Sequence, residues 1–189
     1  MYPQKLLLLS NKQALIAHLH SLSEHDRYLR FGYPITDEGI ETYVNRSFDL
    51  EQSQWFGMFD DNDNIVASVH SVMVTSSKAE MGLTVDVSLR GQGFGQVLFD
   101  RGLCWARAHG AKQVYMQCLS ENKAIQHIAR KNNMTIAILG HAEREGVLDF
   151  NSVSIVAPLS DVAMDSVAAV DAVFREQRKI LKRALTCWL

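Results

Sequence analysis

Residues 90–95 of this chain read Arg-Gly-Gln-Gly-Phe-Gly, and they stand between a β-rich stretch at 79–87 and a helical pattern that begins at Phe94. Three glycines in six residues open backbone conformations closed to other residues, and they remove the side chains that would hold an anion away from main-chain N–H groups. The helix that follows adds the positive end of its dipole. Strand, glycine turn and helix in that order form a cradle suited to phosphate. The spacing is neither GxGxxG nor GxxxxGK(S/T), so neither a dinucleotide fold nor a P-loop is indicated. For the hexapeptide alone, an ordinary glycine turn is the alternative.

The rest of the chain limits what such a cradle can serve. With 189 residues, 47% hydrophobic and 21% charged, it is long enough for one domain with a sizeable core, or one domain plus an appendage, and nothing in it suggests disorder. Nineteen basic and 21 acidic residues leave a net charge of −2, which provides no basic field for a nucleic-acid partner. Cys104, Cys118 and Cys187 are odd in number and lack metal-ligand spacing, so no metal is expected. With no secretory signal ahead of them, a reducing cytoplasmic setting is expected. The apolar run from Leu6 to Leu9 is far shorter than the roughly 20 residues of a membrane span and reads as a buried strand.

Periodicity gives the order of elements. A strand at 5–9 leads to Ser10-Asn11, which can cap a helix over 12–22, and Ser23 with Asp26 starts a second helix that ends near Phe31. A third follows Thr36, with Ile40, Tyr43 and Val44 on one face. Strands at 55–59 and 65–75 flank the polar turn at 60–64, and Ser76-Ser77 turns into the strand at 79–87. The helix after the glycines carries Gly95, Phe99, Gly102, Leu103 and Ala106 at helical spacing and stops at Gly110. A strand around 114–116, a helix over 122–131 and closing strands at 135–139 and 147–156 complete a mixed α/β sandwich.

The run 82–95, Gly-Leu-Thr-Val-Asp-Val-Ser-Leu-Arg-Gly-Gln-Gly-Phe-Gly, resembles the acetyl-coenzyme A signature of the GNAT N-acetyltransferase superfamily, in which Leu-x-Val precedes Arg/Gln-x-x-Gly-x-Gly/Ala. Gly110 to Tyr115 is similar to the turn and fifth strand that follow the cofactor helix, and Asn122-Lys123-Ala124-Ile125 to the Asn-x-x-Ala opening of the next helix. The resemblance covers 78–134, and a weaker likeness at 22–31 points to bacterial protein lysine acetyltransferases of the Pat type. It implies the GNAT fold, a central, mostly antiparallel twisted sheet flanked by helices. It also implies acetyl-coenzyme A as cosubstrate, with the strand of Leu83, Val85 and Val87 along the pantetheine arm and Asn122 near it. Arg90, Gly91, Gln92, Gly93, Phe94 and Gly95 would bind the cofactor, the amides of Gln92 through Gly95 holding the pyrophosphate, and the Val85 N–H would polarise the thioester carbonyl.

Acetyl transfer to an amine also needs a route for the amine's proton, because an alkyl ammonium with pKa near about 10.4 is no nucleophile until it loses one. Glu80, in an Ala-Glu strand similar to that of the Pat-type enzymes, is the candidate base; a carboxylate beside an apolar cleft has its pKa raised by desolvation. Arg30 and Phe31 match the Arg-Phe region that borders the acceptor in that group, and His70 on the preceding strand is a reserve candidate for the same side, a structural histidine being the alternative. Two positions depart from the family. Ala129 stands where a tyrosine often protonates the leaving thiolate, and Asn133-Met134 replaces the Gly-Phe that closes the helix. His127 and Cys118 read as a surface and a core residue.

Past Pro158 the pattern changes to one long helix with Ala163, Val167, Val170, Phe174, Leu181, Ala184 and Trp188 at spacings of three and four. The chain divides into an acetyltransferase domain at 1–157 and a C-terminal amphipathic helix at 158–189, which docks on its own domain or pairs with a second copy as a homodimer. Three functions stand open: direct transfer of acetyl to a protein lysine without a covalent enzyme intermediate, transfer to a small amine such as a polyamine, amino acid or drug, and a coenzyme A-binding regulatory module without turnover.

Overall fold

The computed structural model describes residues 1, 3–6, 9–138, 143–149 and 161–186. A single sheet runs in the order β1-β2-β3-β4-β5-β7-β6, with strands β1 (Gln4–Lys5), β2 (Ser53–Phe59), β3 (Ile65–Thr75), β4 (Lys78–Val85), β5 (Gln113–Leu119), β6 (Thr135–Ile138) and β7 (Glu143–Asp149). All neighbours are antiparallel except β4 and β5. The mostly antiparallel mixed sheet expected from the sequence is therefore present.

Alternation along the strands gives the sheet two apolar faces. Phe56, Val69, Met81, Leu83, Val114 and Met116 meet helix α4 (Phe94–Ala108) through Leu98, Phe99 and Leu103. Trp55 and Phe59 on the other face meet α1 (Leu9–Ser21) and α3 (Asp37–Phe48) through Leu15, Leu19, Ile40 and Val44. Local caps fix the helix starts. The Ser23 hydroxyl accepts from the Asp26 N–H ahead of α2 (Glu24–Phe31), Thr36 caps α3 through the Gly39 N–H, and Asn122 caps α5 (Lys123–Lys131) through the Ile125 N–H. Gly32 at φ +80° and Gly110 at φ +88° take the left-handed conformation beyond α2 and α4.

Several boundaries differ from the sequence reading. The first strand is only Gln4–Lys5, extended by the Leu6 N–H bond to Trp55, and α1 already starts at Leu9, ahead of the expected Ser10-Asn11 cap. β4 stops at Val85 because Asp86 caps a 3₁₀ turn, Val87–Leu89, by accepting from the Ser88 N–H. Val87 therefore leaves the strand and is 65% exposed. β7 begins at Glu143, earlier than expected, where it finds Leu119 on β5. Leu7, Leu8, Leu139, residues 150–156, the boundary at 157/158, Cys187 and Trp188 lie outside the described residues.

The long helix α6 (Asp161–Thr186) packs on α4 and β1 with a different face from the one its apolar repeat suggests. Ala168 and Arg175 are buried, and Asp161 and Asp165 pair with the fully buried Arg101 of α4. Arg175 lies over the Phe59 ring at 4.8 Å. Val170 and Phe174 face outward with more than half of their surface exposed. Among the described residues no helix is long and apolar enough to cross a membrane.

Candidate active site

The site begins where β4 and β5 part. They pair in parallel only from Lys78 to Glu80 against Gln113 to Tyr115, after which β4 continues to Val85 and β5 to Leu119 with a gap between them. The Asp86 N–H donates to the Val66 carbonyl at 2.8 Å, which sets the phase of the β3–β4 ladder. In that phase Gly82 and Thr84 exchange bonds with β3, while Met81, Leu83 and Val85 turn their backbone N–H and C=O groups towards the side that β5 has left. The Val85 carbonyl accepts from Arg90 Nε at 3.1 Å, and the Val85 N–H stays directed into the gap.

The glycine turn closes the same gap at its end. Gly91 at φ +75° and Gly93 at φ +86° meet no neighbour that a Cβ would touch, so conformation rather than space requires glycine there. Gly93 is the N-cap of α4, and no side chain caps that helix, so its first-turn amides point outwards. Gly95 has a steric reason as well: a Cβ there would lie 3.0 Å from Ile128 Cδ1 on α5. Arg90 is tied to Asp26 of α2 at 2.8 Å, which joins the turn to the opposite wall. The resulting cleft holds about 500 Å³. Of the residues the sequence selected for a cofactor, Leu83, Val85, Arg90, Gly91, Gly93, Phe94, Gly95 and Asn122 line it. Gln92 turns its amide back to the Ser88 carbonyl at 3.0 Å, and Val87 points to solvent. Buried Asn122 spans the cleft by capping α5 and donating to the Leu29 carbonyl of α2 at 3.4 Å.

Two further cavities, of about 350 and 400 Å³, adjoin the cleft through Arg30, which lines all three. Glu80 lines both of the smaller ones and Phe31 the first of them. Tyr115, opposite Glu80 in the parallel register, donates to its carboxylate at 3.3 Å. Burial, then the neighbouring Glu80 charge, pushes the Tyr115 hydroxyl up to about 12. His70 is buried and stacked on Trp55 at 4.4 Å; burial first, then the Arg30 charge, pushes it down to about 3, so it is neutral. Its ring nitrogens meet the Tyr43 hydroxyl at 2.8 Å and the Ser53 hydroxyl at 2.6 Å. His70 thus lines the 400 Å³ cavity as a neutral brace for its neighbours. Sequence reasoning missed Tyr43 and Tyr115, because no local spacing marks pairings that the fold creates across 27 or more residues, and Arg46, which only the lining of the 400 Å³ cavity brings to the site.

The model of the acetyltransferase (GNAT) family matches residues 18–134, more than half of the chain and the stretch that carries every wall of the 500 Å³ cleft. The chain belongs to the GNAT family. Its fold is similar to the GNAT domain of the S. lividans protein PAT, with TM-score 0.67 and 14% identity over 78% of this chain and 96% of that one. It is also similar to a spermidine N-acetyltransferase from Vibrio cholerae, solved with coenzyme A and spermine, with TM-score 0.63 and 14% identity over 79% and 96% of the two chains. Likeness at that identity establishes the fold alone. No curated protein matches the chain.

The two departures from the GNAT pattern have physical counterparts. Ala129 is buried in the core, close enough to Gly146 that a Cβ on the glycine would stand 3.3 Å from its own, so the two small residues pack together. Asn133 adopts φ +55°, the left-handed conformation that glycine takes at no steric cost and asparagine more readily than most other residues, and Met134 is buried in the core.

Proposed function

We propose that the protein is an N-acetyltransferase that binds acetyl-coenzyme A in the cleft between β4 and β5 and delivers acetyl to a primary amine approaching from the Arg30 and Glu80 side. One observation carries the reading: the open backbone edge of Leu83 and Val85 and the uncapped start of α4 face one cavity of about 500 Å³. An edge of free amide and carbonyl groups fits the amides of a pantetheine arm, and a glycine turn at a helix N-terminus fits a pyrophosphate. Lys131 lines the same cavity and adds positive charge, while the charge of Arg90 is balanced there by Asp26.

Acetyl-coenzyme A would supply the acetyl thioester, with the coenzyme A thiol as leaving group. The chain's own groups would do the rest. The Val85 N–H, aimed into the gap by strand phase, is placed to donate to a carbonyl oxygen as charge grows on it. Glu80 is the base that takes the ammonium proton, directly or through water, and Tyr115 holds its carboxylate from the side. No acid occupies the Ala129 position, and a thiol with pKa near about 8.5 can leave without one. That vacancy is the observation favouring a coenzyme A-binding module without turnover.

The deciding experiment titrates the purified protein calorimetrically with acetyl-coenzyme A and with coenzyme A, then follows thiol release against amines and lysine peptides. Micromolar binding with amine-dependent release is expected. Binding without release would leave the regulatory module, and no binding would remove the reading altogether.

A further inference from the structure

The geometry points to an acceptor that carries a carboxylate beside its amine, with the carboxylate seated on Arg30 and the amine on Glu80; this deepens the transferase reading and rests on it.

Arg30 is built into place. Its guanidinium lies 5.0 Å from the Phe31 ring centroid and 5.7 Å from that of Tyr43, and it covers Gly82 so closely that a Cβ there would stand 2.4 Å from Cζ. One N–H donates to the Tyr43 hydroxyl at 3.1 Å. Because arginine only donates and a carbonyl only accepts, the chain of bonds behind it runs in a single direction. Tyr43 donates to His70 Nδ1, His70 Nε2–H donates to Ser53, and Ser53 donates to the Ser47 carbonyl at 2.8 Å. This fixes the neutral tautomer of His70 and, through Tyr43, the guanidinium. Such a brace positions a donor fork without consuming it.

Among the described residues the fork meets no carboxylate, and the Tyr43 hydroxyl takes only one of its N–H groups. Among the described residues Arg30 has no ion pair, and its buried Nε has no hydrogen-bond partner. Arg46, which lines the 400 Å³ chamber with it, has no ion pair either. Among the described residues that line the chamber, Glu80 is the one carboxylate. The chamber thus offers two cations and one anion, since His70 is neutral. A polyamine or an isolated lysine side chain would bring positive charge to two guanidiniums; a molecule with both an ammonium and a carboxylate matches both signs and presents its amine to the proposed base.

The test compares thiol release, with acetyl-coenzyme A, for a panel of amino acids, the matching amino amides, spermidine and an amidated lysine peptide. The acids should exceed their amides in kcat/KM by about tenfold or more, the range of a charge-assisted hydrogen bond. Arg30→Gln should lower the acids by about tenfold more than the amides. Tyr43→Phe, which keeps the guanidinium but frees it, should raise KM for acids selectively, and a cooperative thermal melt of each variant confirms that it is folded. Equal or better turnover of amides, spermidine or the peptide would overturn the inference while leaving the transferase intact, as would an Arg30→Gln loss shared by acids and amides. A second arm needs no turnover: N-acetyl amino acids and their amides are titrated into wild type and Arg30→Gln. Carboxylate binding that depends on Arg30 without thiol release would keep the anion site and remove the transferase reading, and binding indifferent to Arg30 would overturn the site.

Discussion

Glu80 reaches the acceptor chambers because a strand alternates: Met81 and Leu83 enter the core, so Glu80, Gly82 and Thr84 must face the other way, and Gly82 leaves room there for the Arg30 head. Removing only the carboxylate's charge separates catalysis from binding. Glu80→Gln should cut kcat by about 10²-fold or more, the lower end of general-base contributions, with unchanged coenzyme affinity by calorimetry. A variant that keeps its rate would exclude Glu80 as the base. The buried histidines make a second residue-scale prediction. Burial pushes His18, bonded to the Thr84 hydroxyl at 2.9 Å, down to about 4, and His70 down to about 3. The unfolded chain binds protons near the ordinary value of 6.5, while the folded chain resists until much lower pH. Stability contributed by the neutral rings is therefore complete above pH 6.5 and declines as pH falls from there towards 4, by about 1.4 kcal/mol per pH unit for each histidine. Urea midpoints measured between pH 7 and 4.5 should fall accordingly, and a flat profile would mean that these rings titrate freely in the fold.

At the scale of elements, legibility followed locality. Ser23 could be read as a helix start because it and its N–H partner Asp26 are three residues apart, and it holds in the structure, whereas the equally local Ser10-Asn11 cap gave way to a helix that starts at Leu9. The glycine turn was legible for the same reason. What was not legible depends on partners distant in sequence: β1 shrinks to two residues because β2 pairs with only that much of it, and β7 starts early because β5 is long enough to receive Glu143. Val87 was misplaced because Asp86 accepts from the Ser88 N–H and ends β4 in a 3₁₀ turn, a local contest that apolar alternation does not show. The turn gives its own prediction. Gly93→Ala puts a Cβ on a residue at φ +86° and should cost about 1–2 kcal/mol in stability, while weakening coenzyme A binding by shifting the α4 amides. Gly95→Ala meets only the flexible end of Ile128 and should be milder on both measures. Thermal melting and calorimetry of the pair check this, and equal effects would contradict the separate reasons assigned to the two glycines.

At the scale of the whole molecule, α6 shows why periodicity alone misjudged its face. The apolar repeat through Val170 and Phe174 marks a stripe that the protein leaves in solvent, while Asp161, Asp165, Ala168 and Arg175, also at helical spacing, make the contact. The cause lies 60 residues away. Arg101 has no exposed surface and lies 4.2 Å from the Phe56 ring centroid in the middle of the core face, and a guanidinium in that position requires carboxylates. Asp161 and Asp165 supply them, one turn apart, and so determine which side of α6 turns inwards. Asparagine at both positions keeps the shape and removes the charge, leaving Arg101 buried and unpaired. The double variant should lose about 3 kcal/mol in urea unfolding, the low end for a broken buried pair because both carboxylates keep some contact with water. Adding Arg101→Met should recover most of that loss, since a methionine fills similar space and needs no counter-charge. A double variant as stable as the parent would show that α6 is held by its other contacts, at Phe59 and Asp63, and that the buried arginine does not orient it.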